Sequence, residues 1–304
     1  MSSSPMRILV AWRPGAEGLD SVAHAAWLAR THPVRIRFAA VVSRGWPLTS
    51  LARLDAGDRW VREVSRATAK DIRRAAKRAG LRRPVIDDGE PVRIIESASE
   101  AAAITAAAAE FDADLILLGS RVGGPEGRFR AGATADALLH FSPIPLGLSI
   151  PAATLSKRGV TRVSCGYIDT AQSHGALERA ADLARAWEVP LRLLAFTPAG
   201  ATMYPTAAGY GSAEDLMVEW HEQALALLDR GRDRALTRHP ELRVQVDVGS
   251  GDGWAGAIGA VKWKKGDLLL LGSSTLGPFG RVFTGSSTNH LIRHAPVPMM
   301  ITPS

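Results

Sequence analysis

Short apolar runs recur along this chain, each closed by a turn residue and followed by a stretch with apolar positions three and four apart. Arg7-Ile8-Leu9-Val10-Ala11-Trp12 reads as a strand broken by Arg13-Pro14-Gly15. A helix is expected over 21–30, where Val22, Ala25, Ala26 and Leu28 share one face, with Asp20 as its N-cap. A strand over 35–42 and a long, polar-faced helix over 51–79 come next. The third strand is placed over 92–95, with Val85-Ile86 as the alternative. An alanine-rich helix over 99–110, a strand over 115–118, a helix over 134–141 and a last strand over 145–150 close the first half. Alternating strands and helices predict an α/β fold built on a doubly wound parallel sheet, because parallel strands need helical crossovers.

The second half repeats the first. Asp114 and Asp267, Gly119 and Gly272, Arg128 and Arg281, Gly132 and Gly285, and Pro145 and Pro298 match at one offset. Nearer the start of each half a slightly different offset aligns Arg7 with Arg162, Ala25-Ala26 with Ala180-Ala181, and Arg37 with Arg192. Two tandem domains are therefore expected, over 1–152 and 158–304, joined by a linker near 151–159. The last strands, 145–150 and 298–302, each start on a proline, where a missing N–H is tolerated. The segment 198–212, rich in glycine and tyrosine, reads either as a flap over a pocket or as an ordinary surface loop.

Composition narrows the function classes. A single cysteine, Cys165, leaves no intrachain disulfide and reads as a core thiol in a buried strand. No apolar run reaches the roughly 18 residues of a membrane span, and the start lacks a signal-peptide core, so no membrane partner and a cytoplasmic location are expected. The net charge of +7 comes from dispersed arginines with no dense basic block, which argues against nucleic acid as a partner. The chain has no Gly-x-x-x-x-Gly-Lys-Ser/Thr loop, no Gly-x-Ser-x-Gly elbow and no acid–base pair, so fast catalysis is not expected. Trp220-His221-Glu222 reads as helix surface rather than a metal site.

The distinctive chemistry lies after the fourth strand of each half. Leu268-Leu269-Leu270-Leu271 suits a parallel strand buried on both faces. It ends on Gly272-Ser273-Ser274-Thr275, and nine residues later Gly285-Ser286-Ser287-Thr288 opens a helix. Such a loop aims backbone N–H groups and a positive helix end at one place, which is how α/β proteins seat anions. The first-half copy runs Gly119-Ser120-Arg121-Val122, then Gly132-Ala133-Thr134.

These loops resemble the phosphate signature of the universal stress protein family: Gly, two residues, Gly, nine residues, Gly, then Ser or Thr. The whole chain resembles a tandem bacterial member, and Arg293-His294-Ala295-Pro296-Val297-Pro298 is similar to the family's closing segment. The resemblance implies two tandem Rossmann-like domains of the adenine-nucleotide α-hydrolase type, whose last strands pair antiparallel within the chain as a compact pseudo-dimer that can still form a homodimer. It also implies a stress-response binding module that takes ATP with Mg²⁺. Carried onto the second half, it implies that Gly272, Gly285, Ser286 and Ser287 hold phosphates, that Phe196 and Leu271 line the base, and that Asp169 meets the nucleoside, given one residue of slack; an ungapped alignment puts Ile168 there instead. Arg281 either adds charge at the phosphate end or is a solvated loop residue.

Three features depart from the family pattern. Thr275 and Val122 replace the middle glycine, and in the first half Ala133 replaces the hydroxyl while Arg13 falls where ATP-binding members carry an aspartate. The second half is the better-kept site. The alternatives are an interaction or scaffold protein whose glycine loops have degenerated and, third, a slow ATPase; the protein partner is unknown.

Overall fold

The computed structural model describes residues 4–15, 18–42, 54–199, 213–276, 281–283 and 286–303; at 54–58, 213–217, 274–276, 281–283 and 286 the backbone alone is described. Unit one runs β1 (Met6–Trp12), α1 (Leu19–Ala29), β2 (Val34–Val42), α2 (Leu54–Arg78), β3 (Val92–Glu96), α3 (Glu100–Glu110), β4 (Leu115–Leu118), α4 (Ala133–Phe141) and β5 (Leu146–Leu148). Unit two runs β6 (Arg162–Gly166), α5 (Ala171–Ala186), β7 (Leu191–Ala199), α6 (Ala213–Arg238), β8 (Val244–Asp252), α7 (Gly253–Ala260) and β9 (Asp267–Gly272). A short hairpin, β10 (Ser274–Leu276) with β11 (Arg281–Phe283), then leads to α8 (Ser286–His294) and β12 (Met299–Thr302).

Ten strands form one sheet in the order β3-β2-β1-β4-β5-β12-β9-β6-β7-β8. Pairing is parallel within each unit. It is antiparallel at the seam, where Leu148 faces Met299, Gly147 faces Met300 and Leu146 faces Ile301. Pro145 and Pro298 stand just before the seam strands, and each gives its carbonyl to the neighbouring strand, to Ile116 N at 2.9 Å and Leu269 N at 3.0 Å. Gly147 is required there by space: a Cβ would lie 2.2 Å from Leu117 Cδ2.

The strand period of two sends alternate side chains to opposite faces. Along β9, Leu268 and Leu270 join a core with α1, α2, α5 and α6, while Leu269 and Leu271 join a core with α3, α4, α7 and α8. All four leucines are buried, each contributing about 1.5–3 kcal/mol of transfer free energy. Both cores run through both units, so the sheet is covered on each face along its length. Among the described residues no helix is long and apolar enough to cross a membrane.

Several sequence expectations are corrected. Asp20 does not cap α1; Gly18 does, in a left-handed conformation (φ 47°), and Asp20 lies in the first turn. A Cβ at Gly18 would touch the Trp12 ring at 2.7 Å, so packing against β1 decides where the helix begins. The expected strand over 145–150 shortens to Leu146–Leu148. Pro198 lies inside β7, in the stretch that extends past the end of β6 and pairs with β8 alone. The rest of the expected flap, 200–212, lies outside the described residues. Both readings of the third strand find a place: β3 is Val92–Glu96, and Ile86 bridges Ile36 in parallel.

Candidate functional site

In each unit the strand order turns at the first strand: β2 and β4 flank β1, and β7 and β9 flank β6. Loops leaving β1 and β4, or β6 and β9, therefore diverge at the carboxyl edge and leave a crevice, the usual ligand position of a doubly wound sheet.

In unit one this crevice is a cleft of about 610 Å³ lined by Trp12, Arg13, Asp20, Glu100, Gly119 and Thr134 among others. Arg13 lies against the start of α4: a Cβ on Gly132 would sit 3.1 Å from Arg13 Nη2. The loop after Gly119 is stapled by Arg121 N to Arg130 O (2.8 Å) and Arg130 N to Ser120 Oγ (2.9 Å). Val122, in the middle-glycine position, points to solvent, and the left-handed turn residue is its neighbour Gly123 (φ 75°). The hydroxyl at the helix start belongs to Thr134 and is given to Glu100. Burial raises the Asp20 carboxyl above its ordinary range, partly offset by the Ala152 N–H.

In unit two, β9 delivers Gly272 to the carboxyl edge, with Leu271 buried behind it. A Cβ on Gly272 would meet the Gln172 carbonyl at 2.7 Å, so glycine lets the turn close on α5. Thr288 Oγ1 donates to the Gly272 carbonyl (3.4 Å), tying the glycine turn to the first turn of α8. Ser287, half-buried, stands in the same turn. Thr275 does not occupy a turn; it is extended and paired with Val282 inside the β10–β11 hairpin, and Arg281 is paired with Leu276. The side chains of Thr275, Arg281 and Ser286, and all of Gly285, lie outside the described residues.

Phe196 and Leu271 come together on the α7–α8 face. Asp169 is turned elsewhere. Its carboxylate takes a hydrogen bond from His174 Nε2 (2.8 Å) on α5 and pairs with Arg230 (3.6 Å) on α6, and these partners, His174 first, lower its pKa. Ile168, the ungapped match to Arg13, is exposed. Cys165 is buried and its thiol is pushed up to about 12 by burial, which suits a core side chain and not a nucleophile.

Sequence reasoning missed an aromatic column beside Phe196. Trp254 lies tilted against Phe196 (6.5 Å between centroids), and its other side stacks on His290 at 5.0 Å, which stacks in turn on His294 at 6.5 Å. Arg128 of unit one closes the column, donating to His294 Nδ1 at 2.9 Å and its carbonyl at 3.4 Å. Burial first, then the neighbouring cations, lower the pKa of both histidines. The one sequence signal was the i, i+4 spacing of the two histidines. In return β11 packs on α4 of unit one, so each glycine loop leans on the other unit.

A family model described as the universal stress protein family matches residues 5–147 and again 160–303. Universal stress proteins of Mycobacterium tuberculosis and Mycobacterium bovis are each 34% identical over 301 residues, covering 98% of this chain and 100% of the relative. The solved universal stress protein from Archaeoglobus fulgidus DSM 4304 superposes with a TM-score of 0.66 at 15% identity over 98% of each chain. A structure from Pseudomonas aeruginosa UCBPP-PA14 gives 0.51 at 13% identity, covering 99% of this chain and 94% of that one. These two solved structures establish likeness of fold alone.

Proposed function

Because this chain belongs to the universal stress protein family, we propose that it is a nucleotide-responsive binding module with an adenine nucleotide, first of all ATP with Mg²⁺, seated at the glycine loop of unit two. The observation that carries this reading is the Thr288–Gly272 hydrogen bond. It holds the glycine turn against the first turn of α8, so that backbone N–H groups and the positive helix end face the turn, with Ser286 and Ser287 as the proposed hydroxyl donors. A phosphate group fits that donor set. Phe196 and Leu271 supply an apolar wall for a base, and Gly285, Thr275 and Arg281 are assigned to the phosphates on the sequence signature alone. Unit one is the poorer seat, since Thr134 is committed to Glu100 and Asp20 and Glu100 bring carboxyl groups into the cleft. Binding rather than turnover is the expected output, read by a protein partner through the loops that lean across the units.

Isothermal titration of the full chain with ATP and Mg²⁺ tests this. Saturable binding is expected, and Ser287→Glu is expected to weaken it at least about tenfold by placing like charge beside the phosphates. That substitution should leave the melting temperature unchanged or raised, since an acid suits a helix start. No binding at millimolar nucleotide would overturn the proposal. A second reading, an interaction module that has lost its nucleotide, is favoured by one observation: Asp169 is already engaged by His174 and Arg230.

A further inference from the structure

Beyond the glycine loops, the seam between the units forms a second cleft of about 780 Å³. Its walls come from both units: Arg128 and Arg130 from the loop of unit one, Arg293, His294 and Asn289 from α8 of unit two. Among the described residues none of the three guanidiniums is ion-paired to a carboxylate, and the acid in the lining, Asp136, lies 3.9 Å from His140. Two of the three cations are held in place. Arg128 is fixed on His294, and the stem of Arg130 lies across Gly124, where a Cβ would be 3.2 Å from Arg130 Cδ. Because His294 Nδ1 accepts from Arg128, the neutral ring carries its proton on Nε2, a further donor.

The duplication supplies a control. At the matching positions of the other unit, Arg130 becomes Phe283, Arg293 becomes His140 and His294 becomes Phe141, while Asn289 and its match Asp136 both line this cleft. Arg128 is kept as Arg281, so the two sides share one arginine; Arg130 and Arg293 are the cations that this side alone carries. Arg293 at the end of α8 is partly offset by the helix dipole; Arg128 and Arg130 have no such offset. Three guanidiniums set against one carboxylate leave an excess of like charge that disfavours the fold, and a bound anion would relieve it. Guanidinium forks match phosphate oxygens two at a time, and the cleft is of ligand size.

We propose that the seam cleft binds a condensed phosphate, seated by Arg128 and Arg130 of unit one and Arg293 of unit two. The ligand bridges the units and so links the two glycine loops. Its chemistry is that of a chain of phosphates, either free or as the tail of a nucleotide.

Titration of the full chain with inorganic tripolyphosphate tests the site. Saturable binding that weakens steeply with added salt is expected. Arg128→Ala and Arg293→Ala should each weaken it about tenfold, and the pair together about a hundredfold. Arg66→Ala, on the exposed face of α2, should change nothing, and circular dichroism checks that each variant is folded. Repeating the titrations in a Ser287→Glu background separates this cleft from the unit-two glycine loop. Tripolyphosphate binding that survives Ser287→Glu and is lost with Arg128 and Arg293 supports the cleft. ATP tested in that background then tells the sources apart: ATP retained points to a nucleotide tail, ATP lost to a free polyphosphate, and both support the cleft. Absence of tripolyphosphate binding at millimolar concentration would overturn the proposal. So would binding indifferent to the Arg128/Arg293 pair, or binding lost to Ser287→Glu alone.

Discussion

Both units place two arginines and an aspartate at the amino edge of the sheet, and they use them in opposite ways. In unit two Asp267 is wholly buried and receives Arg162 through two bonds of 2.8 and 2.7 Å, Arg192 at 3.3 Å and the Lys264 N–H at 2.9 Å. Arg192 also stacks over Trp263, and burial and Arg162 bring its pKa down to about 10, still charged at neutral pH. In unit one the matching Asp114 is exposed and, among the described residues, takes only the Arg7 N–H. Arg7 and Arg37 there clasp the Phe111 ring from 4.5 and 4.4 Å, and Arg37 turns to Asp87 at 2.7 Å. Matching residues thus converge on one buried aspartate in unit two, while in unit one they part from an exposed aspartate to clasp Phe111, with Arg37 paired to Asp87. Identity at a repeat position carries over the position; burial decides the energy.

The largest expected contrast follows directly. Asp267→Asn should cost about 3–5 kcal/mol, since it strands buried guanidiniums, whereas Asp114→Asn should cost less than about 1 kcal/mol. Chemical denaturation of the two variants side by side measures this, and equal losses would dissolve the contrast.

Acid should separate the units next. His24 is fully buried in unit one, its Nδ1 bonded to Ser149 Oγ at 3.0 Å and its ring beside Trp27, and burial lowers its pKa to about 3. Its match in unit two is the exposed Arg179. The folded state disfavours protonation of His24, so its contribution is complete above the ordinary histidine pKa and is lost as pH falls from about 6.5 toward 3. Near pH 4.5 the loss is about 2–3 kcal/mol. Unfolding followed by tryptophan fluorescence should show that acid limb flattened in His24→Gln; an unchanged limb would assign the acid sensitivity elsewhere.

At the seam, Gly147→Ala should cost about 1–3 kcal/mol by crowding Leu117, read as a lowered melting temperature. The smallest contrast concerns helix starts. Ser99 Oγ accepts from the Ala102 N–H at 3.4 Å and caps α3, while the matching Asp252 makes no side-chain cap bond on α7. Ser99→Ala should therefore cost about 1 kcal/mol and Asp252→Ala only a few tenths, measured by denaturant midpoint.

The strands were legible where burial on both faces writes a continuous apolar run, as at Leu115–Leu118 and in the leucines of β9. Duplication then checked each reading against its copy. The β10–β11 hairpin was not legible, because strands of three residues are too short to show alternation. Nor was the Gly18 cap, which depends on contact with Trp12 across the turn. At the candidate site, Gly272, Leu271 and Phe196 could be named because they end strands at the carboxyl edge. The direction of Asp169 could not, since one residue of alignment slack decides which face a side chain takes. The Trp254–His290 column escaped notice because it joins helices far apart in sequence, which no local period reveals.

The seam strands β5 and β12 lie side by side in one chain, with Gly147 opposite Met300. Those two residues also occupy matching positions in the duplicated sequence. Two identical chains meeting through this strand would have to oppose glycine to glycine or methionine to methionine, and every substitution would strike both sides at once. Fusion removes that obligation. A change on one side of the seam can be answered by a different change on the other, so the partners can specialise while staying permanently paired.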